Sequence, residues 1–105
     1  MLEKKIARRY AKALFQAGQK AGTAEKLAPE VALYGRLVEE TPGLKGFLLD
    51  ERVPSAAKEK ALGAIAEKTT PSDAFARFVK LLVQYGRTGL FPEIAEVYTD
   101  LVDEA

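Results

Sequence analysis

Apolar residues return every three or four positions through long stretches of this chain, and they never alternate over a useful strand length. That is the period of the α-helix. Ala, Leu, Glu and Lys, all good helix formers, dominate these stretches, and no internal repeat is present. Pro and Gly cut the pattern into six segments. A first helix is expected from about Glu3 to Ala21, ending at Gly22, a residue suited to a left-handed C-cap. Thr23 is placed to N-cap a second helix reaching Glu40. Pro29 either kinks that helix or moves its start later, because proline lacks the N–H and crowds the preceding turn. Thr41-Pro42-Gly43 is a break, and a short third helix covers Leu44 to Leu49. After Val53-Pro54, Ser55 begins a fourth helix to Lys68. Thr70-Pro71 opens a fifth, where proline is tolerated in the first turn, and Gly86 closes it. Arg87-Thr88-Gly89 is a tight connection, and Leu90 or Pro92 opens the sixth. The fold expected is all-α, a compact six-helix bundle in one domain over residues 1–105. The sixth helix is still amphipathic at Ala105 with no stop signal, so the chain is expected to belong to a longer protein.

The helices are not equally apolar. In the first, Ile6, Tyr10, Ala13, Ala17 and Ala21 form one stripe, Ala7, Ala11, Phe15 and Gly18 a second, and Leu14 lies between them. In the fifth, Phe75, Val79, Leu82 and Val83 form one stripe, with Ala74, Phe78, Leu81 and Tyr85 beside it. At about 100° per residue each helix carries an apolar arc of roughly 200°, well beyond the usual arc of a surface helix. Two explanations stand side by side. A helix at the centre of a bundle touches several neighbours and uses such an arc. Alternatively, one stripe on each helix stays open and forms a groove for a visiting helix, with small residues for close approach and tyrosines at the rim. The second helix concentrates Leu27, Val31, Tyr34 and Val38 on one narrow face, and the fourth offers little beyond Ala61, Leu62 and Ile65. Both are expected to be outer helices.

Charge modifies this picture slightly. The formal net charge is +1, which argues against a general nucleic-acid binder. Yet residues 1–22 carry six basic side chains and one acid, and residues 86–105 carry one base and five acids. Two solvated helix faces that attract each other explain this; a basic partner-facing end is the sharper reading. No apolar run is long enough to span a bilayer, so no direct membrane insertion is expected. His and Cys are absent, which removes the residues of the common triads, thiolate chemistry and zinc sites. Gly18 and Gly22 do not form a phosphate-binding motif. Glu39-Glu40 and Asp50-Glu51 fall near helix ends, and Ser55 and Ser72 read as caps or turn residues. No catalytic residue, cofactor or metal is expected, and the chain reads as a binding module.

Ala7-Arg8-Arg9-Tyr10-Ala11-Lys12-Ala13-Leu14-Phe15 resembles the opening signature of the F-type ATP synthase delta subunit, whose mitochondrial counterpart is the oligomycin sensitivity conferral protein. Pro42 to Pro54, Phe75 to Arg87 and Leu90-Phe91-Pro92-Glu93-Ile94 resemble later stretches of that family in order and spacing. The resemblance covers nearly the whole chain. It implies the N-terminal six-helix domain of a non-catalytic peripheral-stalk, or stator, subunit. Such a domain binds the N-terminal helix of an alpha subunit in a groove between the first and fifth helices. A C-terminal domain, absent from this chain, would bind the b subunits. The implied location is the cytoplasmic face of the bacterial inner membrane, peripheral through the complex. Carried over position by position, the implied partner-binding residues are Ile6, Tyr10, Ala13, Leu14 and Ala17, with Ala74, Phe78, Leu81 and Tyr85 opposite. Phe15 and Val79 are expected in the core. The rival reading is a basic helical module binding nucleic acid or regulating another protein, with Arg8 and Arg9 on phosphates.

Overall fold

In the computed structural model, which describes residues 2–69 and 71–105, helix follows helix and no strand occurs among the described residues. The elements are α1 (Leu2–Ala21), α2 (Ala24–Glu40), α3 (Leu44–Leu49), α4 (Ser55–Thr69), α5 (Asp73–Gln84), a 3₁₀ turn (Thr88–Leu90) and α6 (Phe91–Glu104). The expected all-α fold of six helices is what forms.

The helix ends show why the breaks fall where they do. Gly22 takes φ +72°, and the amides of Gly22 and Thr23 then donate back to the carbonyls of Gln19 and Gly18 at 3.2 and 2.7 Å. This left-handed turn satisfies carbonyls that α1 leaves unpaired. Gly86, at φ +67°, closes α5 the same way, with Gly86 and Arg87 donating to Val83 and Leu82. Thr23 occupies the N-cap position of α2, but its side chain makes no capping bond. Pro29 neither breaks α2 nor moves its start. It lies on the exposed side, as does Glu25, whose carbonyl loses its helical partner, so water can satisfy that oxygen.

Two expectations need correction. The fifth helix begins at Asp73, so Pro71 precedes it, while Thr70 lies outside the described residues. Ser72 is the N-cap, its Oγ accepting from the Phe75 amide at 3.3 Å. Ser72 in turn is held by α2: its amide and hydroxyl donate to the Glu30 carboxylate at 2.5 and 2.8 Å. The second correction concerns α2, which is no outer helix. Its contact with α6 is the most extensive between any two helices. A Cβ built on Gly35 would stand 2.6 Å from the Ala95 Cβ, so these backbones meet where only hydrogen fits. α4 does lie outside, leaning mainly on α5.

One core joins these elements. Tyr34, Phe75, Phe91 and Tyr98 are its largest fully buried side chains. Tyr34 meets Phe75 edge to face at 4.8 Å, and Phe15 meets Tyr98 the same way at 5.9 Å, geometries aromatic rings prefer. Both buried tyrosine hydroxyls have partners. Tyr98 donates to the Ala24 carbonyl at 2.6 Å. Tyr34 lies 3.0 Å from Thr69 Oγ1, whose own proton goes to the Ile65 carbonyl. Opposite charges at the two ends of the chain do face each other: α1 packs on α6, and Lys4 pairs with Glu96 at 3.5 Å. Both side chains are mostly exposed, so this pair adds little stability.

Candidate functional site

α1 and α5 scarcely touch. α1 rests on α6 and α2, while α5 rests on α4, α2 and the 3₁₀ turn. The gap between them is a groove of about 320 Å³. Its walls run in opposite directions: Thr23 and Leu27 stand near Ala74 at one end, which leaves Ala13 and Leu81 toward the other. Ala13 and Ala17 are exposed on one wall, and Leu81, 39% exposed, projects from the other. The opening exists because α1 uses its second stripe for the core. Ala7 and Ala11 are fully buried there, so the stripe 80–100° round the helix is left open.

Six of the nine residues nominated from the sequence line this groove: Ala13, Leu14, Ala17, Ala74, Phe78 and Leu81. Leu14 and Phe78 do so from below. Each is buried and belongs to the core, so they form a floor rather than a wall. Ile6, Tyr10 and Tyr85 do not line the enclosed part. Tyr10 and Ile6 are half-buried one and two turns before Ala13 on α1, and Tyr85, 60% exposed, stands one turn beyond Leu81 at the end of α5. They extend the same apolar track in the direction of Ala13 and Leu81. Phe15 and Val79, expected in the core, are both half-buried and packed against it.

Gly18, Ala21, Thr23, Leu27 and Arg77 also line the groove and were not among the nominated residues. Thr23 and Leu27 come from the start of α2, which closes one end. Leu27 reads in sequence as one more core position of α2. Only the sharp turn at Gly22, which brings α2 back beside α1, could have signalled its second role. Gly18 is small because α2 begins against it: a Cβ there would lie 2.9 Å from the Ala24 Cα.

The groove holds no cluster of reactive groups, and among the described residues no three potential metal ligands gather anywhere. The shifted ionisable groups lie elsewhere. Lys45 is pushed up chiefly by the Glu93 carboxylate, opposed by partial burial, with Glu39 helping. Asp50 is held below the usual carboxylate range by hydrogen bonds from Arg52. Burial raises the Tyr98 hydroxyl to about 12. What the groove offers is shape: an apolar trough with small residues on one wall and bulkier ones on the other. No helix of the described residues is long and apolar enough to cross a membrane.

Comparison with known proteins gives a consistent picture. Residues 6–105 match the family described as ATP synthase delta (OSCP) subunit. The chain is 36% identical over 104 residues to ATP synthase subunit delta of Syntrophus aciditrophicus, covering 99% of this chain and 58% of that one. It is 31% identical over 106 residues to the same subunit of Symbiobacterium thermophilum, covering 100% of this chain and 56% of the relative. The chain thus spans a little over half the length of these relatives.

Proposed function

The chain belongs to the ATP synthase delta (OSCP) subunit family, and from that premise we propose that its α1–α5 groove receives the N-terminal helix of an alpha subunit. In this reading the domain is the head-binding part of a non-catalytic peripheral-stalk subunit. Its longer form would reach the b subunits through a further domain, and the complex would hold it at the cytoplasmic face of the bacterial inner membrane. The observation that carries the reading is the open apolar track itself. From Ile6 to Ala21 it runs about 22 Å at 1.5 Å per residue, the length of roughly four helical turns.

The lining supports a helix rather than an extended peptide or a small molecule. There is no free sheet edge for strand addition among the described residues. Ala13, Ala17 and Ala21 recur at helical spacing and let a second helix come close, while Leu81 and Tyr85 offer larger apolar contacts opposite. Fully burying an aliphatic or aromatic side chain contributes about 1.5–3 kcal/mol, so several such contacts along the whole track are needed to outweigh the cost of association. The experiment is a titration of isotope-labelled domain with a peptide of the alpha subunit's N-terminus, read by amide NMR shifts. Shifts clustered on Ala13, Ala17, Ala74 and Leu81 are expected. No shifts at millimolar peptide would overturn the reading, and binding of nucleic acid through Arg8 and Arg9 at low salt would then take its place.

A further inference from the structure

The lips of the groove are charged with one sign. Arg77 lines the groove on α5, between Ala74 and Leu81. On α1, helical register puts Arg9 and Lys20 along the outer edge of the Ala13–Ala17–Ala21 wall, and both are exposed. Lys26 stands at the closed end beside Thr23 and Leu27. Among the described residues none of these four cations is in an ion pair, whereas Lys4, on the α6 side of α1, pairs with Glu96.

The nearby acids balance only the one at the closed end. Glu30, which accepts from Ser72, shares the closed end with Lys26 and offsets it there, which leaves Arg9, Lys20 and Arg77 along the two lips. Asp73, on the first turn of α5, points further round that helix than Arg77 does. Glu3 lies beyond Ile6 at the far end of the track and has partners of its own. Three unpaired cations thus line the two lips of the trough, although the chain as a whole is only +1.

We propose that the groove selects an amphipathic helix whose apolar stripe is flanked on both sides by carboxylates. The proposal rests on the groove reading above and adds what the partner must carry. A helix seated between α1 and α5 presents its two flanks to Arg9 and Lys20 on one side and to Arg77 on the other. Flanking glutamates meet free cations there, while flanking lysines meet like charges near the edge of a low-dielectric trough. Each exposed pair changes affinity by about two- to fivefold, so three together separate acidic from basic flanks by tens of fold at low salt.

Three synthetic helices of about sixteen residues test this, sharing one Leu/Ala stripe and flanked by Glu, by Gln or by Lys. Each is titrated into the 105-residue chain at low and at high salt. Affinity is expected to fall in the order Glu, Gln, Lys by at least tenfold overall, and the spread should collapse at high salt. Arg9→Glu, Lys20→Glu and Arg77→Glu together should reverse the order, which separates charge selection from any difference in peptide helicity. Arg77→Gln alone, a milder change at an exposed site, should narrow the spread. Equal affinities, with amide shifts on Ala17 and Leu81, would overturn charge selection and leave the groove reading standing. If none of the three binds, the groove reading falls and this proposal with it.

Discussion

Two helix pairs in this domain use small residues for opposite ends. Between α2 and α6, Gly35 faces Ala95 and the backbones close until no further atom fits. Between α1 and α5, Ala13, Ala17 and Ala21 face empty space, and the helices stay apart. The difference lies in the neighbours. α2 and α6 meet along a seam flanked by buried Tyr34, Phe91, Ile94 and Tyr98. α1 is already seated on α6 and α2 through Ala7 and Ala11, so its second small stripe has nothing left to pack against. A run of small residues therefore signals close approach without saying whose. Inside the fold it makes a seam; on the outside it leaves a place.

Substitution separates the two regions, and the largest effects belong to the seam. Phe91→Ala, at a fully buried ring touching both Tyr34 and Phe75, should destabilise the fold by about 3–5 kcal/mol, measured by urea denaturation. Gly35→Ala should cost about 1–3 kcal/mol, because its new methyl collides with Ala95 and cannot relax without parting the helices. Adding Ala95→Gly should recover much of that loss, less the ~1 kcal/mol that a mid-helix glycine costs. If the double variant is no more stable than Gly35→Ala alone, the seam is not what limits this site.

The seam also carries a pH signature. Tyr98, on α6, donates to Ala24 at the start of α2, and burial raises its hydroxyl from 10.0 to about 12. A raised folded-state value means that this contribution is whole below pH 10 and is lost as pH climbs to 12. The expected outcome is a fall in stability across that window. Tyr98→Phe, weaker at neutral pH for want of the hydrogen bond, should show a flatter alkaline limb in denaturation curves taken every half pH unit. The smallest stability effect belongs to the groove. Ala17→Leu, on an exposed wall, should shift stability by less than about 0.5 kcal/mol. It should nevertheless weaken helix binding at least tenfold in a peptide titration by filling the trough. A variant that bound normally would show that the visiting helix lies elsewhere.

Much of the fold was legible because periodicity and punctuation act locally. α3 has the bounds its neighbouring breaks imply, and left-handed Gly22 and Gly86 end α1 and α5 where the pattern stops. What escaped was non-local. α2 reads as an outer helix because apolar width measures side-chain area, and Gly35 adds none. A glycine enters the packing by what it lets through. The Glu30–Ser72 link joins residues 42 apart and leaves no trace in either local pattern. At α5 the pattern points to Thr70-Pro71 as the start, and Ser72, readable as a cap, is where the helix is capped. At the groove, the open stripes of α1 and α5 could be nominated from their excess apolar arc. Their division into wall and floor could not: Leu14 and Leu81 are both leucines on such arcs, and only the assembled bundle buries one and leaves the other out.

The Glu30–Ser72 link has a mechanical side. The carboxylate of one helix grips the first amide and hydroxyl of another, and the wall that carries Ala74 and Leu81 starts from that grip. Force entering through a helix seated in the groove would thus pass from α5 to α2 by a short, charge-assisted joint. From α2 it would enter α6 across Gly35 and Ala95, a bearing with no long side chain between its faces. The Gly35–Ala95 contact has no rotatable side-chain bond between its faces, so a motion that reaches α2 should pass into α6 as displacement instead of being absorbed as side-chain rearrangement.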